Sequence, residues 1–290
     1  MFKGVFTALI TPFKDGKVDQ SSFENLIERQ IVAGVSGVVP SGTTGESPTL
    51  SHDEHNHVIE SCVKKVAGRV KVIAGTGSNS TSEAVYTTKI AEKSGADAAL
   101  IVSPYYNKPS QAGLYAHFKE IHDNTNIPII LYNIPGRCVV NIELDLLAEL
   151  ANLPRIIGVK DATGDLTLPS RVKDRVGADF IQLSGEDDSV LEFNKLGGSG
   201  CISVTANIVP DLCVALQNAF FDGDIATAEE ITKKLSKLNQ VLFCETNPTP
   251  VKYAAKLLNI CTGDLRLPLV TISDESKRKV EEALKDLSLI

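Results

Sequence analysis

Short apolar runs recur along the chain: Val5–Ile10, Val35–Pro40, Val70–Ala74, Ala98–Ser103, Ile127–Tyr132, Ile156–Lys160, Phe180–Ser184 and Cys201–Val204. Continuous rather than alternating apolarity predicts strands buried on both faces. Between most of them the apolar residues return every three or four positions. Phe23, Ile27 and Ile31 form one such stripe, closed by Gly34; Leu114, Phe118 and Ile121 form another, and Leu144, Leu147 and Leu150 a third. Ser51 with Glu54, and Ser80 with Glu83, have the S-x-x-E spacing of a capping box at a helix start. Strand, helix and strand again in units of roughly 30 residues are βαβ crossovers. Eight strands in that rhythm predict a closed (β/α)8 barrel of the TIM type, whereas five or six would suit an open doubly wound sheet.

The pattern runs on past the eighth strand. Segments 212–220, 225–243, 251–258 and 275–287 read as helices, with Asp224 and Asp274 as caps. The expected organisation is a barrel over 1–222 and an added C-terminal helical region over 223–290. Asn247-Pro248-Thr249-Pro250 reads as a turn and not as a boundary between units.

Composition narrows the classes. The chain has 290 residues, 43% of them hydrophobic and 22% charged, within the range of globular domains. A net charge of −7 argues against a nucleic-acid surface. No apolar run approaches the ~20 residues of a membrane span, and Met1-Phe2-Lys3-Gly4 leads straight into a strand without a signal-peptide core. The six cysteines, Cys62, Cys138, Cys201, Cys213, Cys244 and Cys261, show no C-x-x-C spacing. Buried free thiols in a reducing cytoplasm are the expectation.

One strand ends in a conspicuous charge. Ile156-Ile157-Gly158-Val159 runs into Lys160 and then the polar Asp161-Ala162-Thr163. Lysine is rarely buried without a partner. Burial disfavours the charged amine, and a neutral amine is a nucleophile suited to forming a Schiff base with a carbonyl. A lysine at a strand end can equally snorkel to water. Alternation along the strand places Asp161 on the face opposite Lys160, so Asp161 is not expected to neutralise it.

In a barrel of this kind the active site lies at the C-terminal ends of the strands. After the second strand stands Ser41-Gly42-Thr43-Thr44-Gly45-Glu46-Ser47, whose glycines, hydroxyls and N–H groups suit a carboxylate. No lysine follows its second glycine, so it is not a Walker loop. The fourth strand is followed by Pro104-Tyr105-Tyr106-Asn107, the fifth by Tyr132-Asn133-Ile134-Pro135-Gly136-Arg137, and the seventh by Gly185-Glu186-Asp187-Asp188. A tyrosine beside a neutral lysine can pass protons, and an arginine in a Pro-Gly turn can fork onto a carboxylate. Each feature has a bland alternative as well: an ordinary turn, a rim aromatic, a surface arginine.

With these motifs, and with Lys108-Pro109 and Val251-Lys252 extending two of them, the chain resembles the dihydrodipicolinate synthase family over essentially its whole length. That family sits in the pyruvate-dependent class I aldolase superfamily with N-acetylneuraminate lyase. The resemblance implies condensation of pyruvate with L-aspartate 4-semialdehyde to 4-hydroxy-tetrahydrodipicolinate, the committed step towards diaminopimelate and L-lysine, without a cofactor or metal. It implies that Lys160 forms the Schiff base and that Tyr132 moves protons. Thr43 would link Tyr132 to Tyr106, which a neighbouring subunit of a homodimer or homotetramer would supply. Thr44 and Ile202 would hold pyruvate, Gly185 would line the same pocket, and Arg137 would receive the semialdehyde's carboxylate. The neuraminate lyases resemble the chain at the Tyr and Lys motifs but lack that arginine. The family usually has Thr and Gly after it, where Cys138 and Val139 stand here, and a thiol is a poorer donor than a hydroxyl.

The resemblance also implies a site for L-lysine as a feedback inhibitor at the tight-dimer interface, matched by Ser47, Leu50, His52, His55, Asn79, Glu83 and Tyr105. Glu83 would pair with the ligand's amine, unless it closes the capping box with Ser80. Three other readings compete. One is a Schiff-base aldolase or lyase acting on a sugar acid. Another is a non-catalytic ligand-binding barrel. The third, a metal centre at His52, His55 and His57, is disfavoured because the third histidine turns off the helix face.

Overall fold

The computed structural model describes residues 2–290. Eight parallel strands close into a barrel in sequence order: β1 (Gly4–Ala8), β2 (Gly37–Val39), β3 (Lys71–Gly75), β4 (Ala98–Val102), β5 (Ile129–Asn133), β6 (Ile156–Asp161), β7 (Ile181–Ser184) and β8 (Gly200–Ser203). All eight predicted runs are strands, with no bound shifted by more than two residues. Phe6, Ala8, Val39, Ile73, Leu100, Ile130, Leu183 and Ile202 fill the interior. Their strand neighbours, such as Val5, Ala99, Leu131 and Val159, face the helices and form the outer core.

The seam between β1 and β8 pairs Gly4 with Gly200. A Cβ on Gly200 would lie 2.0 Å from the Gly4 carbonyl oxygen, and both residues have positive φ. Only glycine permits this approach of two backbones. Asn207 stitches the same seam: its amide donates to the Ala8 carbonyl (2.8 Å), and its side-chain oxygen accepts from Ile10 N–H (3.1 Å).

The first stripe becomes α1 (Gln20–Val32), capped by Asp19, with Gly34 just beyond its end. The Ser51–Glu54 capping box is present at the start of α2 (His52–Val66). The Ser80–Glu83 box is not: Ser80 precedes α3 (Thr81–Ser94) without a side-chain cap. Glu83 accepts instead from Ser78 Oγ and lies 3.4 Å from His52 Nε2, while Ser78 Oγ itself accepts the Ser80 N–H (3.0 Å) that a box would have given to Glu83. The remaining crossover helices are α4 (Gln111–Asn124), α5 (Leu144–Leu150), α6 (Leu168–Val176), α7 (Val190–Lys195) and α8 (Pro210–Phe221).

The C-terminal helices are α9 (Ile225–Val241), α10 (Thr249–Leu257) and α11 (Asp274–Asp286). Asp224 caps α9 as expected. The cap of α11 is Ser273, which accepts from Ser276 N–H; Asp274 is already its first helical residue. Leu235, Leu238, Val251, Ala254, Val280 and Leu284 join one apolar cluster with the barrel residues Val5, Val38 and Val72. A small hairpin, Phe13–Lys14 with Lys17–Val18, turns through Asp15-Gly16, both in the left-handed region that such two-residue turns require.

Candidate active site

Tyr132, Lys160 and Leu183 are register partners across β5, β6 and β7. Register partners in a parallel sheet point to the same face, and Tyr132 and Leu183 belong to the interior cluster. Lys160 therefore points into the barrel. It is 6% exposed, and its Nζ lies 4.1 Å from the centre of the Tyr132 ring. Among the described residues no carboxylate lies within 4.0 Å of that amine, whereas the other buried lysine, Lys252, has Glu46 at 2.5 Å. Asp161 occupies the opposite face, as the alternation requires. It accepts from Thr163 N–H (2.9 Å), and burial raises its pKa. Gly185 follows β7 and donates its N–H to the Asp161 carbonyl (2.6 Å). A Cβ there would sit 3.1 Å from Lys160 Cε and 2.7 Å from Ala162 Cβ, so the lysine's path depends on that glycine. Ile202 lies on the interior face of β8, opposite Phe6 and fully buried.

The loop after β2 is fixed from the C-terminal region. Thr44 is buried, and its Oγ1 accepts from Asn247 Nδ2 (3.0 Å). Glu46 and Lys252, both with side chains 0% exposed, form an ion pair. The second Glu46 oxygen accepts from Arg266 N–H (3.1 Å), and Lys252 also donates to the Asp264 carbonyl (2.6 Å). Burial pulls the Lys252 pKa down, with Glu46 opposing that shift. Arg137, in the helical turn after β5, donates to the Asn247 carbonyl (3.1 Å).

A cavity of about 560 Å³ opens above these residues. Thr43, Tyr132 and Arg137 line it on the barrel side. Lys160, whose amine lies over the Tyr132 ring, is not part of this lining.

A model of the dihydrodipicolinate synthetase family matches residues 1–287. The chain belongs to that family. It is 56% identical to the 4-hydroxy-tetrahydrodipicolinate synthase of Parvibaculum lavamentivorans over the full length of both proteins. Two similar solved structures carry small molecules. The dihydrodipicolinate synthase of Acinetobacter baumannii, complexed with pyruvate, is 42% identical, covers both chains entirely and superposes with a TM-score of 0.97. The DHDPS of Cyanidioschyzon merolae with lysine bound is 37% identical, covers 100% of this chain and 99% of its own, and has a TM-score of 0.97.

The second candidate group of this family member is also largely gathered. Ser47, Leu50, His52, His55, Glu83 and Tyr105 all line the far side of the same cavity, while Asn79 stands outside the lining. His55 Nε2 donates to the Gly75 carbonyl (2.9 Å), which leaves Nδ1 as a buried acceptor with no protein partner. Burial lowers its pKa. His57 turns away to Gln20 (3.0 Å), so the three histidines of α2 diverge. Among the described residues no three His, Cys, Asp or Glu side chains are grouped to hold a metal ion, and no helix is long and apolar enough to cross a membrane. Tyr106 has φ 73° and is 89% exposed; it does not enter its own cavity.

The bracing of the site was not visible in the family motifs as such. In the sequence Asn247, Lys252 and Glu46 stand out only as members of motifs, because contacts across some 200 residues leave no local spacing. In the sequence Asp187 is one member of an acidic turn. It is buried and accepts from Ser203 Oγ (2.5 Å), Val204 N–H (2.8 Å) and Thr205 N–H (3.1 Å), pinning the end of β8 to the end of β7.

Proposed function

We propose that Lys160 carries the reaction of this family as its Schiff-base lysine, with Tyr132 as the group that moves protons beside it. The reaction is the condensation of pyruvate with L-aspartate 4-semialdehyde to 4-hydroxy-tetrahydrodipicolinate, a lyase-type step of lysine biosynthesis. The observation that carries the assignment is the Lys160 amine, buried inside the barrel against the Tyr132 ring and free of any ion pair. The amine adds to the keto carbon of pyruvate and water leaves. The resulting iminium is an electron sink, so the methyl group loses a proton and becomes an enamine nucleophile. The enamine attacks the aldehyde carbon of the second substrate. That substrate's own amine then adds to the imine carbon, closes the ring and releases Lys160.

Thr44 and the backbone at Ile202 hold the pyruvate carboxylate, Gly185 shapes the same pocket, and Arg137 receives the semialdehyde's carboxylate. Arg137 at the cavity rim favours this substrate over a sugar acid. Thr43, which lines the same cavity as Tyr132, links it to Tyr106, and Tyr106 completes the relay from a neighbouring copy, in a homodimer or homotetramer. Its exposure on a loop turned out of its own cavity supports that reading. The buried free thiols of Cys62, Cys201 and Cys213 suit a reducing cytoplasm. The division at residue 222 is one of role: 1–222 carry the reacting groups, and 223–290 brace them.

Borohydride reduction in the presence of pyruvate tests the assignment. Mass spectrometry should find one pyruvate-derived addition on the peptide carrying Lys160, and none in Lys160→Ala. An addition elsewhere, or none, overturns it.

L-Lysine binds the Glu83 side of the cavity as a feedback inhibitor. Glu83 supports this: it is released from helix capping and faces the cavity with His52 and Tyr105. Millimolar lysine should lower the steady-state rate, and Glu83→Gln should lose most of that response. An unchanged rate at millimolar lysine removes the reading.

A further inference from the structure

The motif Asn247-Pro248-Thr249-Pro250-Val251-Lys252 has no part in the chemistry above, yet one of its residues touches both substrate-binding groups. Asn247 is 6% exposed. Its side-chain N–H donates to Thr44 Oγ1 (3.0 Å), and its backbone carbonyl accepts from Arg137 (3.1 Å). A hydroxyl has one hydrogen to give and two lone pairs to receive. With a lone pair of Thr44 occupied by the amide, its hydrogen is left to be given elsewhere, and a carboxylate can only accept. The amide therefore sets the polarity of Thr44 before any substrate arrives. The carbonyl meanwhile takes one of the five N–H donors of Arg137 and fixes the plane of its fork.

The segments that carry Thr44 and Asn247 are tied together nearby. Glu46 lies two residues beyond Thr44 and Lys252 five beyond Asn247, and these two close the fully buried ion pair. Asn247 Oδ1 is buried with no protein partner, so no bond through that oxygen fixes the amide and its side-chain anchor is Thr44.

We propose that Asn247 is a positioning residue for both substrates, holding the Thr44 hydroxyl as a donor towards the pyruvate carboxylate and bracing Arg137 for the carboxylate of the semialdehyde. The proposal rests on the reading of Lys160 as the Schiff-base residue. Asn247→Asp keeps the shape but puts a pure acceptor against Thr44, which turns the hydroxyl hydrogen inward. The KM for pyruvate should rise about tenfold, the range of one hydrogen bond to a charged group. The KM for the semialdehyde should move far less, because the backbone carbonyl is unchanged. Asn247→Ala, which removes the amide without adding charge, should raise the same constant by less.

Simple charge repulsion would also raise the pyruvate KM, and a double-mutant cycle separates the two causes. In a Thr44→Val background the Asn247→Asp change should add little if it acts through the hydroxyl. Additive effects, equal losses for both substrates, or no change in either variant would overturn the proposal. Borohydride trapping at Lys160 with saturating pyruvate is run on every variant. Failure to trap in the parent protein sinks the reading of Lys160. Trapping in the parent with an unmoved pyruvate KM in Asn247→Asp and Asn247→Ala sinks only the role of Asn247.

Discussion

At the residue scale the site depends on what stands beside the lysine and not on the lysine alone. Lys160 reaches the interior because Gly185 leaves room for its chain: a methyl group there would come within 3.1 Å of Cε. Gly185→Ala should therefore fold but hold the amine out of place. Displacements of about 1 Å can cost about 100-fold in rate. We expect a loss of that order in kcat/KM for Gly185→Ala, together with a lowered melting temperature, because the new methyl also meets Ala162 Cβ at 2.7 Å and the Asp161 carbonyl oxygen at 3.1 Å; a near-normal rate would show that the lysine tolerates the crowding. The lysine, its tyrosine and the absence of a carboxylate partner were legible in the sequence, because alternation along a strand fixes which side chains share a face. The role of Gly185 as the lysine's neighbour was legible only as a motif position. The space that a missing side chain leaves is set by a strand that lies elsewhere in the sequence.

At the scale of elements, burial of α4 against α3 carries a pH dependence. His117 is 5% exposed, with Nδ1 2.9 Å from Thr81 Oγ1 and Nε2 unpartnered. Burial holds its pKa down to about 4, against an ordinary value of 6.5. The folded form thus binds this proton less readily than the unfolded chain. The stabilising contribution is fully present above about pH 6.5 and is lost as the pH falls to about 4, amounting to about 3 kcal/mol. Urea unfolding at pH 7 and at pH 4.5 should show a larger loss in the parent protein than in His117→Gln. Equal losses would refute the contribution. The helices themselves were read correctly wherever a stripe of apolar residues ran for three turns. α6 and α7 are not marked in the sequence: α6 has only Leu168, Val172 and Val176 among polar and charged residues, and α7 is less than two turns long. Capping was the least legible feature. The pairs Ser51–Glu54 and Ser80–Glu83 have the same spacing, yet Glu83 has a competing partner in Ser78 that only the tertiary structure supplies.

At the scale of the whole molecule, the exposed Tyr106 gives a test of assembly that no single variant provides. Tyr106→Phe and Lys160→Ala should each be nearly inactive. If Tyr106 serves a neighbouring copy, hybrids of the two contain one site with an intact lysine and an intact tyrosine, and mixing after mild dissociation should restore activity. No recovery would return Tyr106 to its own subunit. The barrel class was legible from eight apolar runs, and the C-terminal helices from the stripes that follow them. The grip of residues 223–290 on the loop after β2 was not, because its contacts join positions about 200 residues apart. The same distance governs the birth of the molecule. β1 lies against β8, through the Gly4–Gly200 contact. A chain emerging from the ribosome makes its first strand long before that strand's second neighbour exists. Until Gly200 has been synthesised the growing sheet has two open edges, and open edges invite pairing with other chains. The two glycines that allow the seam to shut are thus also the residues at which a long interval of exposure ends.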